Sequence, residues 1–196
     1  PGDTTGGSAR STDHAEPALP GGFSVVIPVF NSATLVGTTI DRVVAACEAL
    51  GRPYEVVAVN DASTDASWQV LRGKATEHRH LVVVDLASNA GQHNAVLCGL
   101  RLSRGEYVAT LDDDLQHPPE ELGRLLAAAE QGHDVVCGVP ALARHPARRR
   151  VGSRAVRWLD AVIFPRSRTV RLTAFRVMRR DLVDRLCQIH APAPYL

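Results

Sequence analysis

Tyr107-Val-Ala-Thr-Leu-Asp-Asp-Asp-Leu-Gln-His-Pro-Pro-Glu-Glu121 changes character twice in a short span. Its first five residues, Tyr107–Leu111, form an apolar run with the composition of a buried strand. Three carboxylates follow at once, and Pro118-Pro-Glu-Glu121 then signals the start of a helix over 118–131. Strand, acidic turn and helix in that order make one βα unit. The same alternation extends in both directions. Phe23–Ile27 reads as a strand ended by Pro28, and Thr34–Leu50 carries a helical apolar period closed by Gly51. Tyr54–Val59 is a second strand, followed by a helix over Asp65–His78 capped by Ser63 or Asp65. Leu81–Leu86 is a third strand, and Gln92–Ser103 a helix with Gly91 at its entrance. Asp134–Gly138 is a fifth strand. Strands separated by helices of this length imply an α/β domain with a mostly parallel, doubly wound sheet. Beyond Pro140 the alternation stops. An Arg-rich connection, a helix near Ser153–Phe164, an apolar stretch Leu172–Met178 and a helix from Asp181 follow.

Composition narrows the class. The 196 residues are 45% hydrophobic and 22% charged, enough apolar material for one sizeable core. No apolar run reaches the ~18 to 20 residues that a membrane span needs. Cys47, Cys98, Cys137 and Cys187 are widely spaced, which suits reduced thiols better than a disulfide or zinc framework. Residues 1–22 are rich in Gly, Ser, Thr and Pro and read as a disordered tail without the apolar core of a secretory signal; the absence of an initiator Met reads as a processed or partial sequence. The net charge of +1 conceals an asymmetry. Residues 144–196 hold 13 Arg and 3 Asp, and subtracting these from the totals of 22 and 21 leaves 9 basic and 18 acidic side chains in residues 1–143. An Arg-rich segment of this kind suits phosphates. Aromatic residues, at 5%, are too few for a base-stacking surface, so nucleic acid is not the expected partner.

In an open parallel sheet, ligands bind beyond the carboxyl ends of the strands. There the sequence places Pro28-Val-Phe-Asn31, Asn60-Asp61, Asn89 and Asp112-Asp-Asp114. If the strand continued, Asp112 and Asp114 would share a side, and two neighbouring carboxylates repel unless a cation lies between them. An all-oxygen set favours Mg²⁺ or Mn²⁺ with positions left for phosphate oxygens. The plainer alternative is an acidic loop whose carboxylates cap the next helix. Two phosphate-handling classes are excluded, because the chain has neither G-x-G-x-x-G after the first strand nor G-x-x-x-x-G-K-[ST]. An aspartyl-phosphate phosphatase would want a Lys downstream of the acids, and the single Lys, Lys74, precedes them.

Ser24-Val-Val-Ile-Pro-Val-Phe-Asn31, Asn60-Asp-Ala-Ser-Thr-Asp65, Asn89-Ala-Gly-Gln-His-Asn-Ala95 and Leu111-Asp-Asp-Asp-Leu-Gln-His-Pro-Pro-Glu-Glu121, in this order, resemble the family 2 inverting glycosyltransferases of GT-A fold. The likeness is to the polyprenyl-phosphate branch, which includes dolichol-phosphate mannosyltransferases and bacterial undecaprenyl-phosphate aminoarabinose and glucosyl transferases. It implies a Rossmann-like sheet with an Arg-rich, acceptor-side C-terminal segment. It also implies sugar transfer from a UDP- or GDP-sugar to a polyprenyl phosphate. By resemblance, Pro28, Phe30, Asn31, Val59, Asp61 and Asn89 cradle the nucleotide together with Asp112 and Asp113. Asp112, Asp114 and Gln116 hold Mg²⁺ or Mn²⁺, Asp112, Asp114 and Arg154 are the catalytic set, and Ser153, Arg154 and Arg176 meet the acceptor phosphate.

The same resemblance divides the chain into a nucleotide-sugar half, 23–140, and an acceptor and membrane-facing part, 141–196. It places the protein in the cytoplasm, peripheral at the inner face of an anionic membrane. The chain departs from the family pattern at Ser32 (usually Glu), at Asn60 (usually Asp) and at Gly138-Val-Pro140 (usually G-x-R), and the segment before Phe175 is short. Ser32 and Pro140 keep a weakened sugar-nucleotide-binding module in view, and the acidic edge itself would also serve a metal-dependent phosphate-ester hydrolase.

Overall fold

A computed structural model describes residues 18–139 and 173–188. The expected helix near 153–164, the arginines of 144–171, Ser153 and Arg154, and residues 1–17 of the expected tail lie outside the described residues.

Side chains along the central strand alternate between two cores. On β1 (Leu19–Val29), Phe23, Val25, Ile27 and Val29 face one core and Val26 the other. The same division holds for β2 (Tyr54–Asn60), β4 (Gly105–Thr110) and β6 (Arg176–Arg179), as the pleat of a sheet buried on both faces requires. On the first face pack α1 (Val36–Ala49), α2 (Ser67–Glu77) and α4 (Leu122–Ala129). On the second pack α3 (Gln92–Leu102) and α5 (Arg180–Gln188). With β3 (Leu81–Asp85) and β5 (Val135–Cys137), the sheet order is β3-β2-β1-β4-β6-β5. β1 to β4 run parallel, and β6 is antiparallel to both neighbours. The α/β, mostly parallel reading of the sequence is therefore correct.

Four details differ from that reading, and one alternative it left open is decided. β1 begins at Leu19, inside the expected tail, because Leu19 pairs with Gly105 across an irregularity in register. It also continues through Pro28: β4 pairs no further than Val26, so Pro28 needs a partner strand on one side only and its missing N–H is tolerated. At α2, Asp65 does the capping from one position outside the Ala66 cap, accepting the Ser67 N–H, whereas Ser63 is used elsewhere. The helix expected over 118–131 starts as a 3₁₀ turn, Pro119–Glu121, before α4. Finally, the apolar stretch ending at Met178 supplies β6, which wedges between β4 and β5.

α3 lies very close to the sheet. A Cβ at Gly99 would come within 2.3 Å of Val26 Cγ1, so only glycine lets the helix rest there. At the amino end of the strands, Glu55 (3% exposed) accepts the Ser24 hydroxyl at 2.7 Å, the Arg104 backbone N–H at 2.6 Å and the Arg104 guanidinium at 2.7 Å. This cluster ties β1, β2 and the approach to β4 at the end of the sheet away from the acidic triplet. Among the described residues, no helix is long and apolar enough to cross a membrane.

Candidate active site

The helices that follow β1 and β2 cover one face, and α3, which leads from β3 to β4, covers the other. The winding therefore reverses between β1 and β4, and a crevice opens beyond their carboxyl ends. Asn31 leaves β1 on one side of it, with φ +51°, and Asp112 leaves β4 on the other. The loops around it are stitched together. The Asn31 N–H donates to Ser63 Oγ at 2.9 Å, and Asn31 Oδ1 accepts the Thr64 N–H at 2.8 Å. Ser63 in turn donates to Asn60 Oδ1 at 2.6 Å, and Asn60 Nδ2 to Asp85 Oδ1 at 2.6 Å. Asn60 stands opposite Asp85 in the β2–β3 register, so a second aspartate at 60 would face a like charge. The amide turns that repulsion into a bond.

Asp61 is 2% exposed, and its Oδ1 accepts the Ala90 N–H at 2.7 Å while Asn89 Nδ2 donates to its carbonyl at 3.2 Å. Gly91, at φ +85°, then turns the chain into α3 in a conformation other residues rarely adopt. The first residue of α3, Gln92, donates from Nε2 to Asp112 Oδ1 at 2.7 Å. The Asn89–Gln92 turn thus joins the end of β2 to the end of β4.

The triplet is a turn, not a continuation of β4, which stops at Thr110. Strand alternation therefore does not orient Asp112 and Asp114; the turn brings them within electrostatic reach instead. Thr39 on α1 donates to the Asp113 carbonyl at 2.8 Å, and the Gln116 N–H closes the turn on Asp114 Oδ1 at 3.0 Å, with Leu115 at φ +56°. Burial, followed by the Asp114 and Asp113 charges, pushes the Asp112 carboxyl up to about 6, against the opposing pull of Arg176 and the Gln92 bond. Burial does the same to Asp113, also to about 6, despite a hydrogen bond from Ser32. Asp113 Oδ2 is buried with no hydrogen-bond partner. Clustered, part-buried oxygens with excess negative charge fit a hard divalent cation.

The other expected residues divide. Phe30 is 50% exposed at the crevice, and Asn31 and Asn89 are exposed there too. Pro28 is buried, and Val59 lies wholly inside the core beneath α3 at 0% exposure, so Val59 offers a nucleotide no side-chain surface. Arg176 is 5% exposed on β6, and its charge is felt at Asp112. His117 rests against Phe175, ring centres 5.8 Å apart. Sequence reasoning missed the contacts of Thr39, Ser32 and Gln92. Gln92 stood in a quoted motif, but only the topology shows where its amide points. A second acidic group, Asp41, Glu77 and His78, is no rival metal site: the Lys74 ammonium lies 2.8 Å from both Asp41 and Glu77.

Comparison with known proteins agrees with this fold. The model of glycosyl transferase family 2 matches residues 24–187. Curated relatives include the undecaprenyl-phosphate 4-deoxy-4-formamido-L-arabinose transferases of Pectobacterium atrosepticum, 35% identical over 174 residues, and Yersinia enterocolitica, 36% identical. Each alignment covers 88% of this chain and 53% of the relative, so the chain spans about half the length of those proteins. Among solved structures, the mannosyltransferase PcManGT of Pyrobaculum calidifontis, in complex with GDP-Man and Mn²⁺, superposes with a TM-score of 0.60 at 24% identity, covering 84% of this chain and 46% of that one. S. aureus TarS bound to UDP-GlcNAc does so at 0.58 and 21%, covering 84% and 47%. The fold is that of these GT-A enzymes, and the chain belongs to glycosyl transferase family 2.

Proposed function

We propose that this chain transfers a sugar from a nucleotide-sugar to a polyprenyl phosphate at the cytoplasmic face of a membrane. The observation that carries the reading is the junction of Asp61 and Asp112 through the Asn89–Gln92 turn, which sets a candidate base acceptor and a candidate metal site on one crevice. Named relatives act on undecaprenyl phosphate, which supplies the acceptor class. Asp112 and Asp114, with Gln116, would hold Mg²⁺ or Mn²⁺, which when bound stabilises charge developing on the leaving diphosphate. Phe30 and Asn31 border the nucleoside, and Asp61 receives the base. A lipid phosphate is largely dianionic near neutral pH, its second pKa being about 6, so it attacks the anomeric carbon without a general base. Arg154 and Ser153 are assigned to that phosphate from the sequence. The test is turnover of labelled UDP- and GDP-sugars in Mn²⁺, with and without undecaprenyl phosphate. Lipid-linked product is expected; release of free sugar regardless of lipid would make the chain a hydrolase, and binding without turnover a sugar-nucleotide module.

The base contact is tested by Asp61→Asn. Asparagine keeps an acceptor for the Ala90 N–H and replaces the other oxygen with a donor. Affinity for the cognate nucleoside diphosphate should fall about tenfold or more, the loss of a charge-assisted bond, while affinity for pyrophosphate with Mn²⁺ holds. Calorimetry with both ligands decides it: a parallel loss would make Asp61 a support for the loop.

The basic segment gives a separate expectation. Arg148, Arg149 and Arg150 should each contribute roughly 1 kcal/mol of attraction to an anionic bilayer, weakened by salt. Neutralising all three should reduce binding to anionic vesicles and raise KM for the long lipid, with little effect on a short soluble polyprenyl phosphate. Unchanged vesicle binding in low salt would remove the membrane role of these arginines.

A further inference from the structure

We infer that Gln92 is a positioning residue for the metal site: its side-chain amide fixes Asp112 in the orientation that receives the divalent cation, an inference that rests on the metal reading above. The bond is short, 2.7 Å from Nε2 to Asp112 Oδ1, and one partner is a carboxylate. It occupies one oxygen of Asp112 and leaves the other for a cation. The donor is well anchored. Gln92 opens α3, which Gly99 seats against Val26 and which buries Ala95 and Leu100; the residue two before it, Ala90, is held by Asp61. The backbone that carries the amide is thus held on both sides of residue 92.

The chemistry of the side chain fits this role better than any charged alternative. Three carboxylates already crowd the turn, so a glutamate at 92 would add a fourth negative charge and remove the donor. A lysine or arginine would add a second positive charge to that of Arg176 and compete with the cation for Asp112. A neutral amide donates one N–H to the ionised oxygen and does neither. Hydrogen-bonding partners of ligating carboxylates typically account for 10- to 100-fold in metal affinity.

The test uses Mn²⁺ with inorganic pyrophosphate, a probe independent of the base and the sugar, on the whole chain. Calorimetry compares wild type, Gln92→Met, Gln92→Glu and Asp112→Asn. Gln92→Met, similar in length and without a donor, should weaken Mn²⁺-pyrophosphate about 10- to 100-fold, and Gln92→Glu at least as much. The urea midpoint of Gln92→Met should fall by no more than the loss of one hydrogen bond produces. At saturating Mn²⁺, the zero-field splitting of the bound ion in the EPR spectrum should change in Gln92→Met, because the released carboxylate takes a different angle. Wild-type affinity and splitting in Gln92→Met, with binding lost in Asp112→Asn, would overturn the role of Gln92 and leave the metal reading standing. Wild-type affinity in Asp112→Asn would overturn the metal reading, and this inference with it. A loss in Gln92→Met matched by a larger fall in the urea midpoint and no change in splitting would mark a structural residue and overturn the inference as well.

Discussion

Asp114→Ala should lower metal-stimulated nucleotide affinity and turnover by about 100-fold or more while the domain stays folded. The scale follows from outer-shell partners alone, which account for up to about 100-fold, whereas Asp114 is read here as a direct ligand. Its removal leaves the cation a donor short and the diphosphate charge uncompensated. The fold should tolerate the change because Asp114 is exposed in the turn after β4, and its bond from the Gln116 N–H is local. Calorimetry in Mn²⁺ and a urea melt on the same preparation separate the two effects. Equal affinity in mutant and wild type would take the metal out of the mechanism.

Glu55→Ala should do the opposite, unfolding the domain more easily without a specific effect on metal. Glu55 is 3% exposed and gathers a hydroxyl, a backbone N–H and a guanidinium at the amino end of the sheet. Alanine strands all three. Breaking a buried pair by removing one partner costs about 3 to 5 kcal/mol, and the lower end applies because the Arg104 side chain, 28% exposed, can turn toward water. A drop of about 3 kcal/mol in urea stability is expected, with Mn²⁺-pyrophosphate affinity unchanged under conditions where the mutant is folded. A drop below 1 kcal/mol would show that water reaches this cluster freely.

The contrast between these two carboxylates shows what the sequence could convey. Asp114 was legible because it follows a strand-like run and precedes a helix start, so local pattern alone placed it on the ligand edge. Glu55 was not. In Tyr54-Glu-Val-Val-Ala-Val59 a single charge reads as a surface position on a strand, and its partners Ser24 and Arg104 are distant in the chain. Gln92 was hidden for the same reason, since its contact with Asp112 exists only once α3 is laid against β1. β6 shows the limit for topology: the sequence offers an apolar stretch there, but not that it forms a strand, which neighbours it pairs with or in which direction. Val59 shows a further limit: the family likeness made it a neighbour of the nucleotide, and only the fold shows that its side chain lies in the core beneath α3.

The insertion of β6 between β4 and β5 also ties Thr173 to Gly138. Thr173 Oγ1 donates to the Gly138 carbonyl at 2.6 Å, and the Gly138 N–H donates to the Phe175 carbonyl at 2.9 Å. Gly138 and Thr173 are therefore held within hydrogen-bonding distance of each other. The entropy of joining two such points grows slowly with the number of residues between them, each doubling costing only about 0.6 kcal/mol. A change in the number of residues between Val139 and Thr173 should therefore leave the pairing of β5 with β6, and the loops beyond β1, β2 and β4, in place.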